Sequence, residues 1–81
     1  MNKQPIASSN IAEAGYDEKE QVMEVDFING GIYRYTNVPK SVWEAFLAAN
    51  TPGGYFYHFI RTSYPYYMIG GGQGKGQGKK K

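Results

Sequence analysis

The sequence predicts an α+β domain: a three-stranded antiparallel meander packed by two C-terminal helices, with a disordered tail. Three observations predict it. Apolar residues alternate with period two along Val22 to Ile28 and recur at helical spacing from Val42 to Leu47 and from Tyr55 to Ile60. Asn29-Gly30-Gly31 supplies hairpin turn chemistry. From Gly70 to Lys81 no residue is apolar, so that stretch has nothing to bury.

Taken in order, residues 1–7 read as a flexible N-terminus, 8–69 as the domain and 70–81 as a disordered Gly/Lys tail. Ser8 to Tyr16 reads as a first strand, with weak alternation and an open register. Asp17-Glu18-Lys19-Glu20 is a charged turn. In the next strand Met23, Val25 and Phe27 alternate with Glu24 and Asp26, which gives one apolar face and one wet face. Ile32 to Thr36 returns as the third strand.

The hairpin loop decides where Tyr33 and Tyr35 point. A two-residue turn sets Arg34 opposite Val25, on the apolar face. A three-residue loop with a left-handed glycine sets both tyrosines beside Val25 and Phe27, and Arg34 across from Glu24 or Asp26. Burying an unpaired guanidinium costs more than burying a ring, so the three-residue loop is preferred.

Pro39 suits a first helical position, and Val42, Trp43, Phe46 and Leu47 form a stripe facing the sheet. Asn50 ends that helix. Thr51 then reads as the N-cap of a second helix, with Pro52 at its first position. On a helical wheel Tyr55, Phe56, Phe59, Ile60 and Ser63 share one arc. Tyr57, Arg61 and, less squarely, His58 share the other. Tyr64-Pro65-Tyr66 leaves the helix, because a residue before proline is pushed out of the helical region.

Composition narrows the function. Eighty-one residues make one domain. Ordering each residue costs about 1.5 kcal/mol, so most of the thirteen aromatic residues are expected in the core. The absence of cysteine excludes a disulfide scaffold and a thiolate metal site, and a single histidine adds no metal site. No cofactor is implied. The N-terminal residues lack a signal-like apolar run and no stretch reaches membrane-spanning length, so a cytoplasmic monomer away from membranes is expected.

The formal net charge of +2 hides a division. Residues 1–69 carry Lys3, Lys19, Arg34, Lys40 and Arg61 against Glu13, Asp17, Glu18, Glu20, Glu24, Asp26 and Glu44, a net of −2. The positive excess lies in Lys75, Lys79, Lys80 and Lys81. Catalysis needs a positioned acid, base or nucleophile. The carboxylates here fall in a turn and on the wet face of a strand, and no enzyme is expected.

The order Met23-Glu-Val-Asp-Phe27, Asn29-Gly30, Tyr33-Arg-Tyr35, Val38-Pro39, the Val42/Phe46 helix, Pro52-Gly-Gly-Tyr55-Phe56, Ile60-Arg61 and Tyr64-Pro65-Tyr66 resembles the KTSC domain. That is a module of about sixty residues, also found at the C-terminus of some lysyl-tRNA synthetases and alone in small bacterial and phage proteins. The resemblance runs from Ser8 to Tyr67. For function the resemblance implies only a suggestion of RNA binding, which comes from the synthetase fusion. Tyr57, Phe59 and the Gly/Lys tail depart from the usual pattern.

The residues support two binding readings. In an RNA or single-stranded nucleic-acid binder, Tyr57 and Arg61 contact the ligand, Arg34 assists, and Lys75, Lys79, Lys80 and Lys81 neutralise phosphates. In a protein-interaction module, an exposed aromatic patch of Tyr57, Tyr66 and Tyr67 docks on a partner. Tyr33 and Tyr35 read as core tyrosines ahead of base-stacking ones.

Overall fold

In the computed structural model, which describes residues 1–71, the strands pair antiparallel and strictly in chain order, β1-β2-β3-β4-β5. They are β1 (Lys3–Pro5), β2 (Ile11–Asp17), β3 (Val22–Phe27), β4 (Gly31–Tyr35) and β5 (Tyr66–Gly71). Between β4 and β5 come α1 (Lys40–Ala48) and α2 (Pro52–Tyr55), which continues as one π-helical turn over Phe56–Ile60. The α+β class stands, but the sheet has five strands rather than three.

The middle three strands are the expected meander, and both added strands are edges. β1 lies within the segment expected to be flexible. Its pairing is non-local, Lys3 to Gly15 and Pro5 to Glu13, and three residues carry no local pattern that announces it. A proline is tolerated there because an edge strand has one unpaired side. β5 includes Gly70 and Gly71, the first two residues of the expected tail.

The β3–β4 hairpin has the three-residue loop. Asp26 pairs with Ile32, Val25 with Tyr33, Glu24 with Arg34 and Met23 with Tyr35. The Gly30 N–H donates to the Phe27 carbonyl at 2.9 Å, and Gly30 takes φ 105°, a conformation that favours glycine. The weak alternation of the strand before it also has a cause. A bulge between Ile11 and Glu13 inserts Ala12, so Ile11 and Ala14, three apart, both reach the core.

One face of the sheet carries both helices. Ile11, Ala14, Met23, Val25, Tyr35, Val38, Phe46, Phe56 and Ile60 are buried between the two layers. From α1, Phe46 is fully buried and Trp43 stacks between Tyr16 (5.6 Å) and Phe46 (5.7 Å). Leu47, expected in the same stripe, is exposed at the end of the helix. Pro39 serves as the N-cap, one position before the site expected for it. The Tyr16 hydroxyl donates to the Val38 carbonyl at 2.6 Å, which ties β2 to the start of α1.

The opposite face carries a cross-sheet row, Lys3–Gly15–Glu24–Arg34–Tyr67, one residue from each strand. Lys3 reaches over Gly15 to place its Nζ 2.9 Å from Glu24 Oε1 and 2.7 Å from Asp26 Oδ1. A Cβ at Gly15 would fall 2.7 Å from the Asn2 carbonyl oxygen and 2.9 Å from Lys3 Cγ, so only glycine leaves room for this crossing. Arg34 closes the row from the other side with two hydrogen bonds to Glu24 Oε2, one of them at 2.9 Å from Nε. Glu24 is consequently 6% exposed, and the face read as wet is covered by its own ion pairs.

Candidate functional site

The π-helical turn sets the geometry of the site. The Arg61 N–H donates to the Phe56 carbonyl, five residues back, at 2.9 Å. One extra residue in the turn rotates the positions after it relative to an α-helical wheel. Phe56 and Ile60 stay buried against the sheet, while Phe59, placed by the wheel on the buried arc, is 58% exposed. Ser63 is exposed as well. Tyr57 and Arg61 come together on the outside, with the guanidinium carbon 4.7 Å from the centre of the tyrosine ring.

This pair stands at the rim of a groove of about 680 Å³ between the second helix and the β4–β5 end of the sheet. Five rings form a closed circuit along it. Phe27 meets Tyr33 (5.5 Å), Tyr33 meets Tyr66 (5.8 Å), and Tyr66 stacks on Tyr35 (5.2 Å). Tyr35 then meets Phe56 edge-on (5.3 Å), and Phe56 returns to Phe27 (5.7 Å). Met68 lines the β5 wall, and Ser9, Asn10 and Asn29 bring polar groups to the far side. Among the described residues that line it, Arg61 alone carries a charge. Burial pushes the Tyr35 phenol up to about 12, with Tyr66 and Tyr33 adding to the shift and Arg61 opposing it. Tyr35 therefore stays a neutral hydroxyl at the groove floor.

Some of the expected site residues meet here and others do not. Tyr57, Arg61 and Tyr66 line one groove. Arg34 and Tyr67 are paired neighbours on the opposite face of the sheet, so neither completes a surface with Tyr57. The hydrogen bonds to Glu24 and Tyr67 raise the Arg34 guanidinium further above its ordinary range and hold it in the ion-pair row. Lys75, Lys79, Lys80 and Lys81 lie outside the described residues.

The reading of Tyr33 and Tyr35 as core residues holds for their packing: Tyr35 is 3% exposed and Tyr33 packs beside it. Both also edge the groove, a double role that a choice between core and surface does not allow. Met68 was missed. The one available signal was the period-two order of Tyr66 and Met68 after Pro65, which a strand would turn to the same face. Ser9, Asn10 and Asn29 gave no signal, because turn residues look alike whether or not they border a groove.

Comparisons with known proteins bear on the fold and the lineage. The family model for the KTSC domain matches residues 7–64. An uncharacterized protein of Stutzerimonas stutzeri is 36% identical over 70 residues, which cover 85% of this chain and 99% of the relative. A lysine–tRNA ligase of Trichormus variabilis is 34% identical over 61 residues, 75% of this chain but 11% of the ligase. The crystal structure of a KTSC domain protein from Yersinia pestis superposes with a TM-score of 0.82 at 32% identity, covering 85% of this chain and 97% of that one. The matched residues 7–64 hold the three-stranded meander, both helices and the Tyr57–Arg61 pair, while β1 and β5 flank them. The chain belongs to the KTSC domain family.

Proposed function

We infer that this chain is a non-catalytic binding module for RNA or another single-stranded nucleic acid, working in the cytoplasm. One observation carries the reading: an aromatic groove whose one charged lining residue, among the described residues, is an arginine held over a tyrosine at the rim. Every base has a π-face, so exposed rings such as Tyr57 and Tyr66 accept bases with little regard to sequence. Arg61, packed on the Tyr57 ring, keeps its N–H edges outward for a phosphate. Ser9 and Asn10 border the same groove and offer hydrogen bonds to base edges or a ribose hydroxyl. The match of this domain to segments of lysine–tRNA ligases supports an RNA setting.

The second reading is a protein partner docked on the exposed aromatics. Tyr57 at 56% exposure and Tyr66 at 55% favour it, since aromatic and arginine side chains anchor interfaces. Salt separates the two readings, because phosphate contacts release counterions whereas an aromatic protein interface barely responds.

The test is fluorescence anisotropy of a labelled mixed-sequence RNA octamer at two salt concentrations. Four tail lysines give a log-affinity slope of up to about −2.8 against log salt. A chain ending at Gly71 should lose that slope and keep the stacking affinity, and it leaves β5 complete. Arg61→Ala and Tyr57→Ala should each weaken binding by about 1–3 kcal/mol without unfolding. A chain ending at Gly71 with no RNA affinity at low salt would leave only polylysine attraction, and the protein reading would take its place.

A further inference from the structure

The two edges of the sheet differ in kind. β1 has three residues and carries Lys3 and Pro5, both devices that discourage another strand from pairing. β5 has six residues with neither charge nor proline. Its Tyr66, Tyr67, Met68 and Ile69 are 55%, 49%, 51% and 41% exposed. One side of β5 is hydrogen-bonded to β4, and among the described residues nothing pairs with the other, where alternate N–H and C=O groups point outward. The strand therefore combines an open backbone edge with apolar side chains on both faces.

We propose that β5 is a self-association edge, pairing antiparallel with β5 of a second copy of this chain to join two sheets into one of ten strands. Identical strands related by a two-fold axis are complementary to themselves, which an unlike partner would have to match by design. A bulge between Ile32 and Tyr33, facing the extra residue Ile69, bends the distal part of β5 and centres the pairing on Tyr66–Met68. Half-exposed side chains of at most about 200 Å² release no more than roughly 100 Å² each, so the four bury at most about 400 Å² per copy. A total of at most about 800 Å² lies below the roughly 1,200 Å² of standard interfaces and sets a weak, concentration-dependent dimer. Each copy carries a net charge of +2, so like-charge repulsion opposes association and added salt strengthens it. Since Tyr66 and Met68 also wall the groove, the two-fold would set two grooves on either side of one joint.

Sedimentation equilibrium of the full chain, from low micromolar to millimolar at two salt concentrations, tests the proposal. The expected result is a mass rising from one chain toward two across that range, with the rise shifted to lower concentration at high salt. Met68→Lys puts a cation at the middle of the edge and should weaken association at least tenfold, while Leu47→Lys, on an exposed helix position away from β5, should not. Backbone amide exchange should show new protection on the outward side of β5 at high concentration, and circular dichroism checks that each variant is folded. A mass that stays at one chain to millimolar concentration overturns the proposal. So does a folded Met68→Lys variant that associates as well as the parent, or association that vanishes in a chain ending at Gly71, since the contact would then be elsewhere or in the tail.

Discussion

A single methyl group at Gly15 tests whether the row across the outer face organises the sheet. Gly15→Ala places a Cβ 2.7 Å from the Asn2 carbonyl oxygen and 2.9 Å from Lys3 Cγ, and the first of these is backbone that cannot swing aside. The strand β1 must shift outward or detach. Forcing extra atoms into a packed site costs about 1–3 kcal/mol. Displacing Lys3 also removes its ion pairs with Glu24 and Asp26, worth up to about 1 kcal/mol each when partly exposed. A domain of this size holds about 4–10 kcal/mol in all, so the loss is a large share. In urea, with a slope of about 1 kcal/mol per molar, the midpoint should fall by about 1–5 M. Amide exchange should localise the change, with protection lost at Ile6, whose N–H donates to the Ala12 carbonyl at 3.1 Å, and kept across β3 and β4. A variant within about 0.5 kcal/mol of the parent, with β1 still protected, would refute the crossing.

Two buried titratable groups give predictions in pH. The Tyr35 phenol, raised to about 12 against an ordinary value near 10, favours the folded state below pH 10, and that stability of up to about 2.7 kcal/mol is lost as pH rises toward 12. Tyr35→Phe should remove this alkaline loss relative to the parent in denaturation curves at pH 9 and 11.5, and an unchanged alkaline limb would show that Tyr35 does not titrate with unfolding. For Glu24, burial alone would raise the carboxyl, but hydrogen bonds from Arg34 and Lys3 outweigh it and hold the group below its ordinary range. Its contribution is complete above the unfolded value near 4.5 and is lost as pH falls through the folded one. Glu24→Gln should therefore cost about 1–3 kcal/mol at pH 7 and flatten the acid limb of the stability curve. An acid limb as steep as the parent's would assign that loss to other carboxylates.

The central hairpin was legible because two physical arguments agreed. The period-two pattern named the faces, and the penalty for a buried guanidinium chose the loop, which placed Arg34 opposite Glu24. β1 escaped because its evidence is non-local, and β5 offered only the period-two order of Tyr66 and Met68 after Pro65. β1 depends on a lysine reaching across a glycine to carboxylates 21 and 23 residues away, and no window around Lys3 contains them. The bulge at Ala12 hid the register of β2 by resetting its alternation. In the site, the Tyr57–Arg61 pair was found from its i, i+4 spacing. Phe59 was misplaced because a wheel of 3.6 residues per turn cannot represent a π-helical turn. Arg34 and Tyr67 were grouped with the wrong surface for lack of β5, whose register with β4 turns both to the far face.

A net charge of −2 over residues 1–69 counts against an anionic ligand for the body as a whole, but what matters at the groove is where the carboxylates sit. Glu24 and Asp26 are neutralised by Lys3 and Arg34 on the outer face, and Glu18 of the charged turn lies 3.3 Å from Lys40 at the start of α1. Asp17 accepts hydrogen bonds from the backbone N–H groups of Lys19 and Glu20. Among the described residues no carboxylate lines the groove, and its local charge is that of Arg61. Local potential rather than net charge governs what a cleft attracts. Salt then acts in opposite directions on the two proposed associations, weakening a phosphate-bearing ligand in the groove and strengthening a like-charged second copy at β5. A single salt series read for both RNA affinity and mass therefore distinguishes them, since neither association can imitate the other's response.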